Sequence, residues 1–128
     1  MILISEDVWS EDFEALAARF PLVREPELWS KKDELKAKLS TATALVVRNR
    51  TQVTREIIEA APNLKIIARA GVGLDNIDVK AADDNGVVVS AALGINATAV
   101  GEETLAMALA LSRKLIELDS STRNGEWN

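Results

Sequence analysis

The run Ile66-Ile67-Ala68-Arg69-Ala70-Gly71-Val72-Gly73 constrains this chain more than any other stretch. Apolar, β-branched residues favour a buried strand. Two glycines one residue apart let the backbone turn tightly, adopt positive φ and approach a ligand closely. The stretch therefore predicts a strand that opens into a loop. Successive N–H groups of such a loop can point into one concavity, a nest for a carboxylate or phosphate that needs no particular side chain at Val72. Without a ligand, the same residues make a plain strand-to-helix turn.

Four further apolar runs frame this strand: Ile2-Leu3-Ile4, Leu22-Val23, Ala44 to Val47 and Val87-Val88-Val89. The strand before the glycines spans Leu64 to Ala68. Between the strands lie helical patterns. Ser10 is placed to cap a helix carrying Phe13, Leu16, Ala17 and Phe20 on one face and stopping at Pro21. Ser30 and Asp33 resemble a capping box ahead of a lysine-rich helix with apolar contacts at Leu35 and Leu39. Thr54 caps a helix with Ile57 and Ile58, and Val79 to Asp84 forms a short turn ended by Asn85-Gly86 in the left-handed conformation. A last helix runs from about Ala97 to Asp119. Its segment Leu105 to Leu111 is apolar all round, which predicts burial on more than one side. Strands alternating with helices imply a parallel sheet of right-handed βαβ units. The expected fold is α/β: a flavodoxin-like, doubly wound five-stranded sheet in the order 2-1-3-4-5, with a long C-terminal helix.

With 128 residues the chain suits one domain, spanning 1–128, with a real core. A net charge of −5 argues against nucleic acid and against an anionic membrane surface, so small molecules or proteins are the expected partners. No cysteine is present, which suits the cytoplasm. The apolar start meets Ser5-Glu6-Asp7 too early for a targeting segment, and no run is long enough to span a bilayer. The sequence has no histidine, so imidazole acid–base chemistry cannot be completed by this polypeptide. No metal site is expected.

Ligands of doubly wound sheets bind beyond the carboxyl ends of the strands. That rule brings Ser5-Glu6, Arg48-Asn49, Ala70-Gly71-Val72-Gly73 and the loop Ala91 to Asn96 to one edge. Arg48 can fork onto a carboxylate or phosphate, Asn49 can add a neutral hydrogen bond, and Val72 and Gly73 can offer main-chain donors. Arg48 also reads as an ordinary surface arginine, and Arg50 as a solvated one. Arg69 faces inward and needs a partner, for which Asp75 and Asp78 are candidates in a structural role. Asn76 reads as a loop-stabilising side chain, and Asn96 as the N-cap of the last helix. Glu102 and Glu103 are adjacent on a helix and do not face each other, so they read as helix-start charge rather than an acid–base pair.

The run Arg69 to Asp78 resembles the signature loop of the NAD-dependent D-2-hydroxyacid dehydrogenases, in particular the D-3-phosphoglycerate dehydrogenases. Arg48-Asn49 resembles the family's arginine-serine pair. Ser90 to Asn96 followed by Ala99-Val100-Gly101-Glu102 resembles the stretch whose asparagine lies at substrate and nicotinamide, although Ser90 and Ala92 replace the family's asparagine and proline. Gly125-Glu126-Trp127 resembles the border before the nucleotide-binding domain. The resemblance implies a substrate-binding domain: Arg48, Asn49, Ala70, Gly71, Val72, Gly73 and Asn96 at a small anionic substrate, and Val72 and Asn96 at the NAD cofactor of the full-length parent. It implies no catalytic residue in this chain, no cofactor held by this chain alone, and inactivity in isolation. It also implies as partners a nucleotide-binding domain absent here and a second copy, as a homodimer or a helix-swapped dimer.

The glycine loop does not itself fit a dinucleotide fingerprint. Asn76 stands at the third glycine position, and Ala91 stands about twenty residues beyond Gly71, where an acidic ribose partner is needed. The competing reading is a stand-alone flavodoxin-like binding or regulatory module. A phosphoacceptor version needs an aspartate after the third strand, where Arg48-Asn49 stands, and an FMN version needs a Ser/Thr-rich phosphate loop after the first.

Overall fold

The computed structural model describes residues 1–126; Trp127 and Asn128, and with them the Trp of the expected Gly-x-Trp border, lie outside the described residues. The chain divides into two compact units, Met1–Leu93 and Gly94–Asn128.

The first unit is the expected sheet. Strands β1 (Ile2–Ile4), β2 (Leu22–Arg24), β3 (Ala44–Val47), β4 (Ile66–Arg69) and β5 (Val88–Ala91) are all parallel, in the order β2-β1-β3-β4-β5. Ile4 lies beside Arg24 and Val46, Val46 beside Ala68, and Ala68 beside Ser90. β3 is central, and its Leu45, Val46 and Val47 are all buried, as a strand covered on both faces requires. Leu3, Leu45 and Ile67 share one face and pack with Leu28, Leu35, Leu39, Ile57, Ile58, Ala81 and Ala82. Those residues come from a 3-10 turn (Leu28–Ser30) and from α2 (Lys32–Leu39), α3 (Arg55–Glu59) and α4 (Val79–Asp84). Each fully buried leucine or isoleucine contributes about 1.5–3 kcal/mol by leaving water.

α1 (Glu11–Ala17) follows Ser10 as expected but buries none of its residues: Phe13 is half-buried, and Leu16 and Phe20 are exposed. The capping box before α2 does not form. Ser30 Oγ donates to the Glu27 carbonyl at 2.9 Å instead, and Lys31 takes the N-cap position. A serine hydroxyl that satisfies the turn behind it is no longer available to the helix ahead. Gly86 ends α4 at φ 67, the left-handed stop expected there.

In the second unit, α5 (Ala97–Ser112) is the long helix, and α6 (Leu115–Arg123) follows it. The single helix to Asp119 is corrected to two, because Lys114 takes a left-handed φ of 52 and interrupts the ladder. The expectation of burial on several sides is not met, since no residue of α5 is buried. Among the described residues no helix is long and apolar enough to cross a membrane.

Candidate functional site

In a parallel sheet the pairing of neighbouring strands decides which residues meet past their ends. With Ile4 beside Val46 and Val46 beside Ala68, the residues two positions on, Glu6, Arg48 and Ala70, come level at the carboxyl edge. Three of the four segments expected at that edge, those after β1, β3 and β4, are therefore brought level.

Its centre is Glu6, which is buried at 3 % exposure. Oε1 accepts the main-chain N–H of Arg48 at 2.8 Å and of Thr51 at 3.0 Å. Oε2 accepts those of Asn49 at 3.2 Å and Arg50 at 3.0 Å. Four consecutive amides thus converge on one carboxylate, an anion nest whose anion belongs to the chain itself. Burial pushes the carboxyl pKa up, but the amides of Thr51, Arg48 and Arg50 outweigh that and hold it below the ordinary glutamate value. Beside it the hydroxyls of Ser5 and Thr51, both buried, share a hydrogen bond of 2.9 Å.

With its backbone engaged in this way, the loop after β3 turns its side chains outward. Arg48, Asn49 and Arg50 are all exposed. Arg48 and Asn49 line a cleft of about 320 Å³ together with Glu6, Asp7, Pro26, Glu27, Trp29 and Arg50. The Arg50 guanidinium stacks 5.0 Å above the Trp29 ring, so it is held in place rather than simply solvated. Asp7 is paired with Arg24. With Glu6 engaged by amides and Asp7 by an arginine, the acids after β1 do not form the open carboxylate cluster that a phosphoacceptor module needs.

The glycine loop lies next along the edge. Ala70 N–H donates to the Val47 carbonyl at 2.8 Å and Gly71 N–H to the Arg69 carbonyl at 2.9 Å, while the Gly71 carbonyl accepts from Ala92 N–H at 3.1 Å. The N–H groups of Val72 and Gly73 meet no acceptor among the described residues. Neither glycine takes positive φ, which corrects the expectation that backbone freedom explains them. The reason is room for a side chain. A Cβ on Gly71 would stand 2.5 Å from Arg69 Nη1, and one on Gly73 would stand 2.6 Å from Asp75 Oδ1 and 3.8 Å from Arg69 Nη2. The Arg69 guanidinium therefore lies over the loop.

Arg69 is oriented by an amide and not by the acids suggested for it. Its Nε donates to Asn76 Oδ1 at 3.1 Å. Asp78 instead accepts from Ala81 N–H at 2.8 Å and caps α4, where free helix amides compete for it. Asn76, 4 % exposed, also donates through Nδ2 to the carbonyls of Thr51 at 2.9 Å and Arg48 at 3.3 Å. One side chain thereby ties the loop after β3 to the loop after β4, the loop-stabilising role read from the sequence. Asn96 belongs to the second unit, where it precedes α5 at the N-cap position without a side-chain cap bond.

The nest around Glu6 escaped the sequence reading, although Ser5-Glu6 was placed at the right edge. The available signal was an acid just past one inner strand, level with a polar run, Arg48 to Thr51, past the next. Among the described residues no group of three or more acidic side chains could hold a metal ion.

The family model described as D-isomer specific 2-hydroxyacid dehydrogenase, catalytic domain, matches residues 2–125. The D-3-phosphoglycerate dehydrogenase of Methanocaldococcus jannaschii is 45% identical over 97 residues, which are 76% of this chain and 18% of that protein. A Pyrococcus horikoshii OT3 crystal structure superposes with a TM-score of 0.84 at 30% identity, covering 99% of this chain and 38% of that one. Aquifex aeolicus D-lactate dehydrogenase, in complex with NAD and lactic acid, gives a TM-score of 0.80 at 25% identity, covering 100% of this chain and 38% of that one. The chain spans about a fifth of the curated relative and well under half of either structure. On the fold, the edge geometry and this match together, the chain belongs to the D-isomer specific 2-hydroxyacid dehydrogenase family.

Proposed function

We propose that this chain is the substrate-binding part of an NAD-dependent D-2-hydroxyacid dehydrogenase, and that it grips a small acid such as 3-phosphoglycerate. The observation that carries the reading is the run of unclaimed main-chain N–H groups that opens at Val72 and Gly73 and continues to Asn76 among the described residues, with the Arg69 guanidinium against Gly71 and Gly73 and Arg48 next along the edge. A carboxylate or phosphate there gains charge-assisted hydrogen bonds from groups already in position. Arg48 and Asn49 hold the other end of the substrate.

When bound to the full-length parent, NAD would accept the hydride that leaves C2 of the hydroxy acid. The residues of this chain do not fit the dinucleotide's pyrophosphate. Asn76, at the third glycine position, is buried with its amide fully engaged, so that position is filled rather than open. Holding the cofactor is therefore assigned to a nucleotide-binding domain. What this chain contributes is positioning, which lowers the entropic part of the barrier.

Amide NMR of the chain titrated with 3-phosphoglycerate tests the reading. Saturable shifts at Arg48, Asn49, Val72 and Gly73, with no NADH formed from NAD, are expected. Turnover at an enzyme-like rate, or an unresponsive edge, rejects it.

A further inference from the structure

We propose that Glu6 is a positioning residue for the substrate edge: its buried carboxylate is the template on which residues 48–51 fold, and so it aims Arg48 and Asn49. This rests on the substrate-binding reading above.

The geometry is specific to a carboxylate. Each oxygen takes two main-chain donors, Arg48 and Thr51 on Oε1, Asn49 and Arg50 on Oε2, at 2.8–3.2 Å. Four consecutive N–H groups pointing inward cannot satisfy one another, and unpaired amides away from water are costly. The loop therefore has this shape only around an acceptor with four lone-pair sites, which an ionised carboxylate supplies and an amide does not. With the backbone pinned, the side chains of Arg48 and Asn49 are left on the cleft side. The same loop is held from behind by Asn76 at the Arg48 and Thr51 carbonyls. Its four main-chain donors thus serve Glu6 and are not offered to a substrate anion. Glu6 acts on the substrate only through Arg48 and Asn49.

Glu6→Gln tests this, because the side chain keeps its size while turning one oxygen into a donor that faces two N–H groups. In the full chain, 3-phosphoglycerate binding followed by amide NMR is expected to weaken about tenfold, the scale of losing one charge-assisted hydrogen bond to the substrate. Lost shifts at Arg48 and Asn49 and retained shifts at Val72 and Gly73 are expected with it. Glu6→Asp, which keeps the charge, is expected to recover part of the affinity, a rescue that a merely space-filling role does not give. A folded Glu6→Gln variant that binds with wild-type affinity and an unchanged Arg48 response overturns the proposal.

Should Glu6→Gln fail to fold, the wild-type protein supplies the readout. The amides of residues 48–51 are expected to titrate together with the Glu6 carboxyl carbon; the other charged groups lining the same cleft are Asp7, Glu27, Arg48 and Arg50. Independent titration of the four amides overturns the template. If the wild-type chain binds no 3-phosphoglycerate while the four amides still titrate as one, the substrate reading fails and the template stands.

Discussion

An alanine methyl at Gly71 would lie 2.5 Å from Arg69 Nη1, inside any normal contact distance, yet the obstructing atom is the tip of a flexible side chain. The guanidinium can swing away at little cost. Gly71→Ala is therefore expected to change stability by less than about 1 kcal/mol while weakening 3-phosphoglycerate binding. Calorimetric melting beside a binding titration separates the two, and a large loss of stability with intact binding would contradict the account. The same residue shows how far sequence reaches. Two glycines after a strand were legible as a place of close approach, but what approaches is Arg69 of the same chain. That could not be read because φ and side-chain packing compete to explain a glycine, and only coordinates separate them. Arg48 and Asn49 were legible through the edge rule. The four-amide grip on Glu6 was not, because hydrogen bonds from main chain leave no mark on the residues that donate them.

At the scale of elements, α2 and α3 are joined across the surface by Glu56, which binds both Lys32 and Lys36. The lysines hold its carboxyl at about 2, down from an ordinary 4.5. A depressed carboxyl pKa gives stability that is fully present above the ordinary value and is lost as pH falls towards the lowered one. The melting temperature of wild type is thus expected to exceed that of Glu56→Gln above pH 4.5, with the difference fading towards pH 2. Because the side chain is exposed, the gap is small and added salt narrows it. A gap that grows in acid would reverse the sign and refute the linkage. Strands and their order were legible at this scale because parallel pairing needs buried β-branched runs separated by helices. The break at Lys114 was not, since nothing in its neighbourhood is a glycine or proline and a lysine rarely adopts left-handed φ.

For the molecule as a whole, the second unit leaves a large apolar surface uncovered: Leu105, Leu109 and Leu111 are 66%, 60% and 79% exposed, with Leu115 and Ile116 following on α6. An apolar surface of this kind is usually an interface. A homodimer, or an exchange of this helix between copies, is the expected form, since covering each leucine is worth roughly 1.5–3 kcal/mol. Sedimentation across a concentration series checks it. Association that weakens when Leu105 and Leu109 are changed to Gln is expected, and a clean monomer throughout would count against it.

Asn76 fastens together two parts of the edge that the sequence keeps apart: its Nδ2 holds the Arg48 and Thr51 carbonyls in the loop after β3, and its Oδ1 holds the Arg69 side chain at the end of β4. One neutral side chain is the fastening between them. Trimming that one amide, as in Asn76→Ala, therefore unfastens both at once and leaves the Arg69 Nε and two carbonyls without this partner.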